Sequence, residues 1–184
     1  FLGVPDGGML YSSLDVNLEK YPIGKSYNLC SHLLKRIDVS AHFGYNSFLS
    51  NEKRIKALDI MKMSNLTRFL LSNIDYKGII KSRHDNFSFL HSELKEWNEL
   101  SFSNSSIGAP LVYPFLIENG ALVKKSLIKK KIYIPTYWPN MLERFSKTNT
   151  FESHLFKNLV ALPIDQRYSI NEMAYVIETI KPLL

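Results

Sequence analysis

Leu159-Val160-Ala161-Leu162 followed by Ser169-Ile170-Asn171-Glu172 is the stretch that decides the fold. The first four residues are a short apolar run of strand length. The second four have the form of a capping box, in which a serine hydroxyl and a glutamate three residues on satisfy each other's backbone donors. Ile170, Met173, Ile177 and Ile180 then place one apolar stripe on a final helix. A strand leading into an amphipathic helix is half of an α/β layer, and the sequence upstream supplies the rest. Leu111-Val112-Tyr113-Pro114-Phe115-Leu116-Ile117 reads as a second strand, in which Pro114 lacks a ladder donor and so favours an edge or a bulge. Asn119-Gly120 opens a helix over 121–130, Ile132-Tyr133-Ile134 reads as a short strand stopped by Pro135, and Asn149 with Glu152 marks a helix start running through Phe156. These elements make a small α/β module with helices packed on a short sheet.

Working towards the amino terminus, Leu66, Phe69, Leu70 and Ile74 recur at helical spacing. Ile80, Phe87, Leu90, Leu94 and Trp97 continue the pattern, which predicts one long helix kinked near Gly78. The polar run Ser101-Phe102-Ser103-Asn104-Ser105-Ser106 ends it as a linker or surface loop. Between Leu29 and Ile60 the pattern predicts one or two helices interrupted near Gly44, and Gly7-Gly8-Met9-Leu10-Tyr11 predicts a turn leading into a short buried strand.

Composition narrows the classes of function. The chain has 184 residues, 45% of them hydrophobic, enough for one substantial core or two small ones. No apolar run approaches the roughly 20 residues that a membrane-spanning helix needs, and Phe1-Leu2-Gly3-Val4 does not have the form of a signal peptide. One cysteine, Cys30, cannot make an intrachain disulfide; a reducing, cytoplasmic setting fits, with Cys30 read as a buried small apolar residue. The net charge of +6 is spread thinly, and its one dense cluster (Lys124, Lys125, Lys129, Lys130, Lys131) reads as a solvated helix face, without the interleaved aromatics of a nucleic-acid platform. His32, His42, His84, His91 and His154 form no metal-ligand pattern, although His84 and His91 could share a helix face. The sequence contains no GxSxG elbow, Walker A loop or GxGxxG. One loop stands out: Ile134-Pro135-Thr136-Tyr137-Trp138-Pro139-Asn140 concentrates aromatics and prolines, as packed ledges and ligand walls do.

Several segments, in this order, resemble the DegT/DnrJ/EryC1/StrS family of pyridoxal-phosphate (PLP)-dependent sugar aminotransferases of fold-type I. Val4-Pro5-Asp6-Gly7-Gly8-Met9-Leu10 is similar to the strand after the family's PLP lysine, and Met63-Ser64-Asn65-Leu66 resembles the start of its long helix. Arg83 through Asn86 is similar to an Arg-rich stretch farther along, and Val112-Tyr113-Pro114-Phe115 resembles the strand that opens the small domain. Lys131 through Pro139, and Asn158 through Ile164 followed by Glu172, resemble the two closing motifs.

The resemblance implies an α/β architecture: the tail of a fold-type I large domain over 1–62, a long connecting helix over 63–100, and over 101–184 a small α/β domain whose short sheet is covered by helices. It implies the carboxy-terminal part of an aminotransferase acting on a nucleotide-linked keto sugar with an amino donor, working as a homodimer without nucleic acid or membrane. The Schiff-base lysine would fall immediately before Phe1, so PLP is expected of a longer parent and covalent attachment is not expected in this chain. Gly44-Tyr45-Asn46 matches the segment whose asparagine reaches the PLP phosphate of the neighbouring subunit, which makes Asn46 the cofactor-binding candidate; here about fifteen residues, rather than almost none, separate it from Met63-Ser64. Tyr137 and Trp138 are the candidates for a substrate-facing wall. The alternative is a catalytically inactive relative that keeps the fold and binds a ligand or protein.

Overall fold

The computed structural model describes residues 2–102, 108–141 and 150–184. The chain divides into two compact units, Phe1–Ile74 and Asp75–Leu184.

The amino-terminal unit contains a 3-10 turn at Tyr27–Leu29 and three helices, α1 (Ser31–Asp38), α2 (Ala41–Lys56) and α3 (Asn65–Ser72). Helices α1 and α2 pack side by side. The interruption expected near Gly44 is not there: α2 runs straight through it, and the break falls before it, where the Ser40 hydroxyl accepts from the Phe43 N–H and caps α2. Gly44 is buried because α1 passes so close that a β-carbon there would lie 2.9 Å from the His32 carbonyl oxygen. The glycine serves a helix crossing, not a turn. Nor is Gly7–Tyr11 a buried strand: Met9, Leu10 and Tyr11 are exposed, and the segment has no ladder among the described residues. Among the described residues of this unit, strand-type pairing is limited to an isolated parallel bridge between Ile23 and Lys62.

The single long helix is in fact two. Asp75 caps α4 (Tyr76–Leu94) by accepting from the Gly78 N–H, and α3 has already ended at Ser72. The apolar spacing ran on across this break, which is why it did not show in the pattern. Gly78 is therefore a first-turn residue of α4, not a kink.

In the carboxy-terminal unit α4 precedes β1 (Val112–Leu116), α5 (Gly120–Lys129), α6 (Phe151–Asn158), β2 (Leu159–Pro163), α7 (Ile170–Ile180) and a last 3-10 turn, Lys181–Leu183. β1 and β2 pair antiparallel with Tyr113 opposite Leu162 and Phe115 opposite Val160. Pro114 fits because alternate residues of a strand aim their backbone groups to the same side. The Pro114 carbonyl faces away from β2, where it accepts from the Asn98 amide at 2.9 Å, so the missing N–H belongs to that outer edge. The same asparagine accepts from the Leu116 N–H at 3.0 Å, and the Glu99 N–H reaches the Leu116 carbonyl, so the outer edge is closed by side chain and loop.

Val160, Ala161 and Leu162 are all buried, the signature of a strand covered on both faces. The core runs through Phe87, Leu90 and Leu94 of α4, Tyr113 and Phe115 of β1, Val123 and Leu127 of α5, and Met173, Ile177 and Ile180 of α7. The capping box at Ser169 and Glu172 forms as read. Ile132 and Ile134 reach the same core without forming a strand, and no described segment pairs with them. Helix α6 is capped by Thr150, whose hydroxyl accepts from the Ser153 N–H; Asn149 lies outside the described residues, as does most of the polar run after Ser101. Asn119 occupies the N-cap of α5 but turns its amide to the Leu183 carbonyl instead.

Candidate functional site

Three side-chain arrangements stand out among the described residues. In the amino-terminal unit, Ser64 sits at the N-cap of α3 with its hydroxyl accepting from the Thr67 N–H. Asp6 closes on this cap from 58 residues away: its carboxylate accepts from the Ser64 N–H at 3.0 Å, from the Ser64 hydroxyl at 2.7 Å, and from the Thr67 hydroxyl. Ser26 and Ser64 share a further hydrogen bond of 2.6 Å between buried hydroxyls. Gly7, next along, has φ +96, and a β-carbon there would meet the Met63 side chain at 2.8 Å. Only glycine allows the chain to turn this close to Met63. Partial burial on its own would raise the Asp6 pKa, but the hydrogen bonds from Thr67, Ser64 and Ser26 outweigh it and hold the carboxyl below its ordinary value.

A depressed carboxylate stabilises the folded form above its unfolded pKa of about 4, and that contribution is lost as the pH falls through the lower folded value. Asp6→Asn removes the charge at every pH. It is expected to cost about 1–2 kcal/mol locally, read as a roughly tenfold loss of amide-exchange protection at Ser64 and Thr67 near neutral pH. Unchanged protection at both amides would show that the clip contributes nothing.

In the carboxy-terminal unit Arg83, only 1% exposed, is the largest buried polar side chain. Its guanidinium donates to Gln166 at 2.8 Å, to the Pro110 and Leu111 carbonyls at 3.0 Å each, and to Asp165 at 3.3 Å. One helical turn on, Asn86 donates to the Tyr168 carbonyl at 3.0 Å. Arg167 takes the other Asp165 oxygen at 2.5 Å. Burial alone would raise Asp165, and the two arginines more than reverse it. Burial pulls Arg83 below its ordinary value, and Asp165 opposes this. The signal in the sequence is the polar pair Arg83/Asn86 on the same face of α4 as Phe87, Leu90 and Leu94.

The third arrangement surrounds the aromatic loop. Tyr137 is half-buried and Trp138 is 64% exposed, with ring centroids 5.7 Å apart; Phe156 of α6 meets the indole edge-on at 6.4 Å. Trp138 has φ +48, an uncommon conformation for a bulky residue. These rings, Pro135, Thr136, Lys124, Leu159 and Ala161 enclose a cavity of about 30 Å³. Burial raises the Tyr137 phenol, and the charge of Arg83 acts against it, so the loop lies within electrostatic reach of the second arrangement.

The structure thus brings Tyr137 and Trp138 into one wall. Asn46 stands exposed on α2, in the other unit. Cys30 is half-buried rather than core: its thiol donates to the Ser26 carbonyl, and burial pushes its pKa up. His84 is exposed while His91 bonds the Tyr113 hydroxyl, so the two do not act as a pair. Among the described residues no group of three His, Cys, Asp or Glu side chains is placed to hold a metal, and no helix is long and apolar enough to cross a membrane. No family model, curated protein or solved structure matches the chain.

Proposed function

We propose that this chain is the carboxy-terminal portion of a PLP-dependent aminotransferase that acts on a nucleotide-linked keto sugar as a homodimer. What supports the reading most is the amino-terminal unit's want of a core. Among its described residues Leu29 and Leu71 are the buried hydrophobic side chains, while Leu10, Leu14, Ile37, Val39, Ile60 and Phe69 are among many left in solvent. The tail of a larger domain would have this character.

A second support is that the segments carrying the resemblance engage one another within each unit. Asp6 of the glycine-rich segment holds Ser64 of the next, and Arg83 and Asn86 hold the turn that follows the closing strand motif.

PLP, when bound in such an enzyme, serves as an electron sink for moving the amino group. Asn46, exposed on α2, is the residue of this chain that the resemblance places at its phosphate. On this reading the lysine comes from just before Phe1, and the substrate meets the Tyr137–Trp138 wall.

The test is the coding sequence upstream of Phe1 together with an absorbance scan of the full-length protein. A lysine at that position and a visible Schiff-base band that borohydride abolishes is the expected result. A native species of 21.3 kDa with neither would overturn the reading and leave an inactive relative. The isolated chain is expected to self-associate and to bind a hydrophobic dye strongly; a strict monomer without dye binding counts against the uncovered surface.

A further inference from the structure

The geometry points to an oxyanion subsite at Lys124, which takes the carboxylate or phosphate tip of a ligand whose body lies against Tyr137 and Trp138. The inference stands on the cleft itself and does not rest on the aminotransferase reading. Lys124 belongs to the cluster of five lysines around α5, but it is set apart from the others by position. Lys125, Lys129, Lys130 and Lys131 are exposed, whereas Lys124 is half-buried at the edge of the cavity.

Its ammonium donates to the Thr136 hydroxyl at 3.4 Å, a long bond, and makes no ion pair with a described carboxylate. A partly desolvated ammonium without a counter-charge is unfavourable, and an anion brought to it offsets that cost. Burial pushes the Lys124 pKa down.

The size of the cleft limits the ligand. A cavity of about 30 Å³ admits roughly two waters, enough for one carboxylate or the leading oxygens of a phosphate and nothing larger. The rest of the ligand has to lie outside, where the exposed indole of Trp138 offers a flat apolar surface. Leu159 and Ala161 of β2 make the floor. The fitting class is a small organic acid or phosphate ester with a ring or apolar body.

Trp138 reports on this directly. The chain has two tryptophans, Trp97 and Trp138, so Trp97→Phe leaves the cleft indole as the single emitter. In that background, inorganic phosphate and acetate are titrated separately at an ionic strength held constant with chloride. A saturable change in emission in the millimolar range is expected, weakened at least tenfold by Lys124→Met, retained by Lys124→Arg, and unaffected by Lys129→Met. Saturation by phosphate alone assigns a phosphate tip, by acetate alone a carboxylate, and by both a general oxyanion site. No saturation with either ion, or an equal response in Lys124→Met with an unchanged circular dichroism spectrum, overturns the inference.

Discussion

Arg83→Met is expected to destabilise the carboxy-terminal unit by about 3–5 kcal/mol, the loss typical of removing one partner from a buried charged network. The methionine fills most of the volume, so the cost comes from what the guanidinium leaves behind. The Pro110 and Leu111 carbonyls, the Gln166 amide oxygen and one Asp165 oxygen all lose a donor at a position 1% exposed. Arg83→Lys restores charge but not the planar fork that serves several acceptors at once, so it should fall between wild type and Met. Amide exchange at β1 and β2 measures the effect in this unit alone, and a loss below 1 kcal/mol for Met would refute the account.

The same network carries a pH signature. Asp165 is held below its ordinary value, so its contribution is complete above an unfolded pKa of about 4 and disappears as the pH falls through the folded value. In Arg83→Met the carboxylate keeps Arg167 but loses Arg83, and the acid-side slope of stability should shrink while the neutral-pH loss remains.

How much of this was legible beforehand depended on sequence distance. β1, β2 and α7 were readable because their signals are local: a short apolar run, or a serine and glutamate three residues apart that cap one helix. The break at Asp75 was hidden because the apolar spacing continues across it, and Gly44 misled because its reason lies in a neighbouring helix. Ile132 and Ile134 have the pattern of a strand and the burial of one, but strand formation needs a partner that the pattern cannot supply. The candidate site divides along the same line. Tyr137 and Trp138 were visible as composition, whereas Lys124 was one letter in a basic run until the fold buried it against that loop. Asp6–Ser64 and Arg83–Asp165 join residues 58 and 82 apart, and no local signal announces either.

Gly120→Ala is the other substitution with a large expected effect, and here local preference and tertiary contact point in opposite directions. Alanine is the better helix former by about 1 kcal/mol, so on propensity the change at the first residue of α5 should help. But a β-carbon at Gly120 would overlap the backbone carbonyl of Asn158 and sit 2.9 Å from its α-carbon. Backbone at the α6–β2 junction cannot rotate aside as a side chain can. Asn158 is itself buried, with its side-chain oxygen accepting from the Ala121 N–H at 3.4 Å and its amide meeting His154 at 3.1 Å. To make room, α5 has to move off β2, lifting Val123 and Leu127 from the core. Overpacking of this kind costs about 1–3 kcal/mol and more where backbone must shift, so the net expectation is a loss of at least 2 kcal/mol, measured by denaturant unfolding. Asn158→Ala should not rescue the variant, because the obstructing atoms are main chain; rescue would mean that the asparagine side chain, not the close approach of two backbones, requires glycine at this position.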